Sequence, residues 1–403
     1  MEKIIRNGFN MLGVFDGEYA YKGPDCVQID LTNNCNNNCI ACWCNSLLLG
    51  DKAISAEVKK QTLDYGFVIK LIDSLRSMRT WELYFSGGGE PLMHPGAVDI
   101  ICYAKSRGFT CTLHTNFTLV DDNILDKLEK ANLDYLVVSL WAATPQMYVK
   151  THPNKTEEDF IRIKTLIKSI NEKKRAGPRV RIYNVISNVN YKEIIQMAEF
   201  CLDTGSENVE FTVIDTIPGR TDKLLVNEEE RKDLLEACRA IKAEKKFYQG
   251  NGRFIVSNFD HFIRRVASEH GGQAEYDRGF LDSVPCYVGW TFARILADGN
   301  VNSCLKSHRI PIGNVYQDDF RVIWNSAKQR EFRKQVYGRQ NGHSLLSMIG
   351  NDPEKKIGCY KSCDDLGRNM IMHEKVSRLS PYQKKILKCC SGIGRLVRGV
   401  YKR

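Results

Sequence analysis

From about residue 25 to 245, short apolar runs alternate with longer stretches whose apolar residues recur every three or four positions. The runs predict strands over 27–31, 82–85, 110–114, 135–140, 180–185 and 209–214. Between them the helical rhythm predicts helices near 56–77, 96–107, 122–131, 157–174, 190–204 and 227–245. Strand and helix alternating in this way read as a parallel α/β architecture. Right-handed crossovers curl such a sheet into an open or closed barrel or a doubly wound layer, and periodicity alone does not choose between them. In a barrel, loops at the C-terminal strand ends carry the chemistry. After residue 245 the rhythm changes. Residues 246–285 are mixed and polar, and 286–330 hold two strand-like pieces around the hairpin turn Ala297-Asp298-Gly299-Asn300. A helix over 322–336 follows, then a cysteine-bearing loop and a basic tail.

Composition adds limits to this picture. The chain has 403 residues, enough for one barrel-sized unit and a smaller appendage. No apolar run approaches the roughly 20 residues that span a bilayer. The opening MEKIIRNGFNMLGVF lacks the compact apolar stretch of a signal peptide. Fifteen cysteines without an export signal predict reduced thiols in a cytoplasmic protein, some of them holding metal. The net charge of +10 suggests nucleic acid until its distribution is read. Lys384, Lys385, Lys388, Arg395, Arg398, Lys402 and Arg403 fall after Pro381 with no acid among them. The body is therefore close to neutral, and no broad polynucleotide groove is expected.

The candidate chemistry begins directly after the first predicted strand, in Asn33-Asn34-Cys35-Asn36-Asn37-Asn38-Cys39-Ile40-Ala41-Cys42. Thiolates are soft ligands suited to zinc or iron–sulfur clusters. Three of them leave one iron of a cubane open to an exogenous group. The intervening asparagines favour a loop and can turn their amides toward a cluster. Structural zinc, the alternative, prefers four ligands, and Cys44 would supply the fourth at an unusual spacing.

This CxxxCxxC loop resembles the signature of the radical S-adenosylmethionine (SAM) superfamily. In the loop after the second predicted strand, Ser86-Gly87-Gly88-Gly89-Glu90-Pro91 is similar to the family's GGEP motif, whose backbone meets the amino group of the SAM methionine. Only a missing Cβ lets a chain approach a ligand that closely. The resemblance implies a partial (β/α)6 TIM-like barrel and a 4Fe–4S cluster on Cys35, Cys39 and Cys42. It implies reductive cleavage of SAM to methionine and a 5′-deoxyadenosyl radical. It also implies SAM contacts for Gly87, Gly88, Gly89, Glu90 and Pro91, and for Ser139 at the end of the fourth strand. Asn116 joins them, in a His114-Thr115-Asn116 run that resembles the family's TNG segment with Phe117 in place of glycine. Trp43 is expected near the adenine or in ordinary core. The chain departs from the family at Ala41, at Trp141-Ala142-Ala143 and at Thr151-His152-Pro153.

Cys286 and Cys304 flank the predicted hairpin, with Gly299 between them, and Cys359 and Cys363 follow later. The first pair resembles the opening of the SPASM and Twitch extensions of radical SAM enzymes. A hairpin brings that pair together, and the later loop supplies two more thiolates. The resemblance implies a small α+β domain holding an auxiliary 4Fe–4S cluster on Cys286, Cys304, Cys359 and Cys363. A missing CxxCx5Cx3C run favours the single-cluster Twitch form. Four-thiolate zinc would use the same ligands, and His308 is an alternative ligand. The expected segments are an N-terminal extension (1–24), the barrel (25–245), a linker (246–285), the auxiliary domain (286–365) and a basic amphipathic tail (366–403).

Cys102, Cys201 and Cys238 fall on apolar helix faces and read as core. Cys26, Cys44 and Cys111 are expected near strand ends, where a thiol can donate hydrogen to a product radical; Tyr183, Asn184, Asp215 and Thr216 are expected toward substrate. The tail pattern suits an interfacial helix at the inner membrane face, or a solvated or core-docked one. The whole implies hydrogen abstraction from a small sugar-like or lipid-linked molecule, giving dehydrogenation or epimerisation, with a flavodoxin or ferredoxin as electron donor. A maturase that crosslinks a ribosomal peptide, and a non-catalytic zinc-stabilised binding protein, are the alternatives.

Overall fold

The structure is a computed structural model that describes residues 2–173, 177–250, 252–338, 348–350, 359 and 361–400. Residue 174, at the end of one expected helix, lies outside them, as do 1, 175–176, 251, 339–347, 351–358, 360 and 401–403 within the expected segments. The strands are β1 (Cys26–Asp30), β2 (Glu82–Ser86), β3 (Thr110–Thr115), β4 (Tyr135–Ser139), β5 (Arg179–Ile186), β6 (Asn208–Val213), β7 (Phe292–Ile295), β8 (Asn300–Asn302) and β9 (Gly313–Asn314). All six expected barrel strands are present within about two residues of their predicted bounds.

The chain forms two compact units, one of Asp30–Leu63 and Tyr84–Asp277, the other of Met1–Ile29, Asp64–Leu83 and Arg278–Arg403. In the first, β3, β4, β5 and β6 pair in parallel in chain order. The register sets His114 opposite Val137, Val137 opposite Arg181, and Ser139 opposite Tyr183. Paired residues share a face. The opposite face carries Leu113, Leu136, Val138, Val180, Ile182, Val209 and Phe211, all buried. Helices cover that apolar face, and Glu157–Glu172 shows why one forms. Thr156 and Asp159 make a capping box at its start, and three acids occupy the first turn. Phe160, Ile163, Ile167 and Ile170 then recur at helical spacing and are buried, each contributing about 1.5–3 kcal/mol through lost exposure.

A buried ion cluster closes this unit. Asp277 is fully buried, with Arg265 Nη2 at 2.7 Å and Arg264 Nη2 at 2.5 Å from its carboxylate. Asp277→Ala would strand the buried Arg265 guanidinium without this counter-ion. The expected cost is about 3–5 kcal/mol, read as a lower midpoint of chemical denaturation.

In the second unit β1 runs parallel to β7, with Cys26 opposite Phe292. Strands β7 and β8 form the expected hairpin, and β9 adds a third antiparallel strand. Its turn needs Gly299, which sits at φ +84°, while Asp298 Oδ1 accepts the Asn300 N–H.

Several expectations change. The helix expected over 56–77 is two, Ala56–Lys59 and Tyr65–Ser77. Between them Gln61 and Leu63 exchange backbone hydrogen bonds with Asn33 and Leu31, which a continuous helix could not do. Asp64 then caps the second helix through the Phe67 N–H. The helix over 322–336 breaks into Phe320–Trp324 and Ala327–Gly338 because Asn325 turns its amide to both the N–H and C=O of Ala20. Helices Glu2–Asp16 and Phe259–Val266 lie in stretches with no expected element.

Candidate active site

The loop after β2 lies flush on the loop after β1. Built onto Gly87, which sits at φ +134°, a Cβ would come closer than 3.0 Å to the Asp30 side chain. At Gly88 it would meet Asn33 Oδ1, and at Gly89 the Asn34 carbonyl oxygen and Asn33 backbone, again inside 3.0 Å. Real Cβ atoms essentially never approach so near; the backbone against Gly89 and the positive φ of Gly87 require glycine, whereas at Gly88 the Asn33 side-chain tip could shift. The Glu90 N–H then donates to the Asn34 carbonyl at 2.9 Å.

Glu90 fastens a third loop to these two. Its Oε1 accepts from the Thr115 hydroxyl at 2.7 Å and the Leu92 N–H at 3.1 Å; its Oε2 accepts the Asn116 N–H at 2.7 Å. Burial pushes the carboxyl up from its ordinary value, and these donors hold it back. Pro91 opens the short 3-10 turn Pro91–Met93 that Glu90 caps.

Cys35, Cys39 and Cys42 lie close enough along this loop for their charges to oppose one another. Burial pushes the Cys35 thiol up to about 11. Burial also raises Cys39 well above the usual thiol range, with the Cys42 and Cys35 charges adding to it. Cys42 is lowered to about 6, first by a hydrogen bond from the Cys44 thiol; the Cys44 and Asn45 N–H groups also donate to its sulfur. Buried, mutually opposed sulfurs suit a cationic metal centre, which binds them deprotonated.

The asparagines do not all turn inward as expected. Asn36 accepts from Asn116 Nδ2 at 2.8 Å and donates to the Thr118 hydroxyl at 2.7 Å. Asn38 Oδ1 accepts the Asn154 N–H at 3.1 Å. Short polar side chains close loops by such local bonds, which here outcompete turning inward. Asn37 stays beside the thiols: it is buried, its N–H donates to Cys35 Sγ at 3.4 Å, and its side chain acts to lower the Cys39 thiol against the burial that raises it. Thus Asn116, expected at SAM, is seen to position the cysteine loop. Thr118 and Asn154 join this network and carry no signal in the sequence beyond their type.

At the other strand ends, Ser139 is the last residue of β4 and half-buried. Trp43 Nε1 donates to the Asp215 carbonyl, just beyond β6, at 2.8 Å. Phe117 takes the left-handed backbone, φ 64°, that its glycine-like position calls for, and its ring is fully buried. Trp141 is also left-handed, at φ 58°, and the loop following it is tied by the Ala143 N–H and Thr144 hydroxyl to Glu193. His114 and Tyr183 meet edge to face, centroids 5.1 Å apart, on the face that also carries Ser139 and Arg181. Asn184 is corrected: strand alternation puts it on the opposite, helix-packed face, fully buried. Cys26 and Cys111 are corrected too, since they open β1 and β3 rather than close them. Cys201 and Cys238 are buried core, whereas Cys102 is only half-buried.

Cys286, Cys304, Cys359 and Cys363 line a single cavity in the other unit, with Lys306 and Asp365 beside them. Burial pushes Cys286 up to about 12 and Cys304 still higher. Asn369 holds the site together: its Oδ1 accepts the Tyr287 N–H at 2.8 Å and its Nδ2 donates to Cys286 Sγ at 3.7 Å. Asp365 accepts the Leu305 N–H at 2.9 Å and pairs with Arg368 at 2.7 Å. His308 is not among the residues lining this cavity. Four thiols lining one cavity are a donor set that suits an iron–sulfur cluster.

The buried imidazoles set an acid limit on the fold. Burial lowers His114, His152, His261 and His308 to about 4. Each binds its proton less readily folded than unfolded. The stability this gives is full above the ordinary value of 6.5 and is lost as pH falls toward 4. The thermal midpoint should therefore fall between pH 7 and pH 5, and His114→Gln should flatten part of that slope.

A model of the radical SAM superfamily matches residues 29–201, and a model of SPASM, an iron–sulfur cluster-binding domain, matches 286–345. The chain carries a radical SAM domain and a SPASM domain. It is 24% identical over 310 residues to the tungsten-containing aldehyde ferredoxin oxidoreductase cofactor-modifying protein of Pyrococcus furiosus, covering 76% of this chain and 82% of that one. It is 22% identical to PqqA peptide cyclase of Gluconobacter oxydans, over 90% of this chain and 93% of the relative. The crystal structure of Streptococcus suis SuiB bound to S-adenosylmethionine superposes with a TM-score of 0.61 at 16% identity, covering 84% and 74% of the two chains. That likeness shows the fold, a radical SAM partial TIM barrel with a C-terminal SPASM domain. The radical SAM domain implies a 4Fe–4S cluster and SAM, and the SPASM domain implies auxiliary iron–sulfur clusters. Radical SAM enzymes act on small-molecule or peptide substrates and need a reductant.

Proposed function

We propose that Cys35, Cys39 and Cys42 hold the SAM-binding cluster, with Gly87–Pro91, Asn116, Ser139 and Trp43 around SAM. Cys286, Cys304, Cys359 and Cys363 hold an auxiliary cluster. The barrel, expected over 25–245, then extends to Asp277 and takes in most of the expected linker over 246–285, while the extension over 1–24 folds with the auxiliary domain at 286–365 and the tail at 366–403. The observation that carries this reading is the glycine edge, closed against the backbone of the loop bearing Cys35. When bound, cluster and SAM supply a 5′-deoxyadenosyl radical that takes hydrogen from an unactivated carbon.

The substrate reading is a small hydroxylated molecule, sugar-like or lipid-linked, that is dehydrogenated or epimerised, with a flavodoxin or ferredoxin supplying the electron. It is supported by the sheet face that carries His114, Ser139, Arg181 and Tyr183, groups that hydrogen-bond hydroxyls. His114 is neutral at physiological pH, so it offers a donor and an acceptor without charge. A second reading, crosslinking of a peptide, is favoured by the match to PqqA peptide cyclase along 90% of this chain. Mass spectrometry of 5′-deoxyadenosine formed with deuterated hexoses, free and nucleotide-linked, tests the first reading. Deuterium in the product supports it, and deuterium taken only from labelled peptides overturns it.

A further inference from the structure

The last described helix, Pro381–Val400, packs against Glu2–Asp16 in a way its apolar pattern does not anticipate. An amphipathic helix ordinarily docks through its apolar stripe. Here the docked side carries the half-buried Leu387 and, beyond it, only small residues. Ser391 is buried and its hydroxyl donates to the Phe15 carbonyl at 3.5 Å and the Lys388 carbonyl at 2.9 Å. One turn on, Gly394 lies against the Tyr21 ring so closely that a Cβ would not fit. The apolar stripe is left on the outside: Tyr382, Ile386, Cys389 and Ile393 follow one another at helical spacing. Tyr382 is 73% exposed, Ile386 43% and Ile393 62%, and Cys389 and Cys390 are exposed as well. Nothing else among the described residues covers them.

We propose that this outward stripe is a docking surface for an anionic phospholipid bilayer. This goes beyond the reaction assigned above. The charge argues for lipid over a second protein. Lys385 and Lys388 are exposed beside the stripe, and the sequence after Pro381 carries seven cations and no acid. A bilayer surface with negative headgroups attracts each such cation, while the stripe enters the acyl boundary. A second copy of this chain would bring the same positive charge to itself. No helix among the described residues is long and apolar enough to cross a membrane, so the helix lies on the surface.

The test is co-sedimentation of the full chain with vesicles of phosphatidylcholine alone and of phosphatidylcholine with phosphatidylglycerol. The wild type should bind the anionic vesicles at least about tenfold better than the neutral ones, and less well as salt rises. Ile386→Glu/Ile393→Glu should lose that binding. Both sites are exposed, so the double variant should keep its iron content and thermal transition; Lys385→Glu/Lys388→Glu provides a second variant that leaves the stripe intact. Equal sedimentation of wild type and both variants overturns the proposal. So does a concentration-dependent dimer that the isoleucine variant dissolves without any vesicle binding in the wild type.

Discussion

Gly89→Ala is expected to slow SAM cleavage by about 100-fold or more while leaving most of the fold in place. The added methyl has nowhere to go. Its nearest neighbours are the Asn34 carbonyl oxygen and the Asn33 backbone, both inside 3.0 Å, and neither can rotate away as a side-chain tip would. The loop after β2 must lift by about an ångström, or the Cys35 loop must retreat. A misplacement of about 1 Å in a reacting assembly costs on the order of 100-fold in rate. The Glu90 N–H to Asn34 bond, adjacent to the insertion, would stretch in either case. The measurement is the rate of 5′-deoxyadenosine formation under reducing conditions, alongside iron content. A fall of about 100-fold or more with the iron retained is the expected result. Gly89→Ala that cleaves SAM at the wild-type rate would show that the close packing of these two loops is irrelevant to the chemistry.

The second large effect belongs to the four-cysteine cavity. Cys304→Ala should reduce iron from about eight to about four per chain, as one cubane of two is lost. Its sulfur is buried, and its pKa is raised first by that burial, so the thiolate form is costly unless a metal centre compensates it. Metal affinity in such a site is also folding free energy. Loss of the cluster should therefore lower the first thermal transition as well as the iron count. The Asn369 amide and the Asp365–Arg368 pair, which hold the surrounding backbone, would be left around a void. Unchanged iron in Cys304→Ala would remove this residue from the ligand set.

Much of this was legible in the sequence because it rests on local rules. Apolar runs fixed by strand burial and helices begun by capping residues such as Thr156 and Asp121 carry their signal within a few residues. The glycine triplet and the cysteine spacings are of the same kind. What was hidden depends on partners far along the chain. Nothing near Asn325 shows that its amide will bind Ala20 and break a helix there. The parallel pairing of β1 with β7 joins residues some 266 positions apart, Cys26 and Phe292. Asn36 looked like a ligand-facing amide until its bonds to Asn116 and Thr118 were in view. Asn184 shows the limit of position alone. Proximity to a strand end suggested substrate, but alternation along β5 turned it toward the helices and left Tyr183 on the open face.

The central claim is that Cys35, Cys39 and Cys42 bind the cluster on which SAM is cleaved. Its most direct measurement is 5′-deoxyadenosine formed by anaerobically prepared full-length protein with SAM and dithionite, beside the Cys35→Ala/Cys39→Ala/Cys42→Ala variant. Formation by the wild type and none by the variant, with about four fewer irons per chain, is the expected outcome. Colourless wild-type protein that contains zinc and no iron, and forms no 5′-deoxyadenosine, would contradict it.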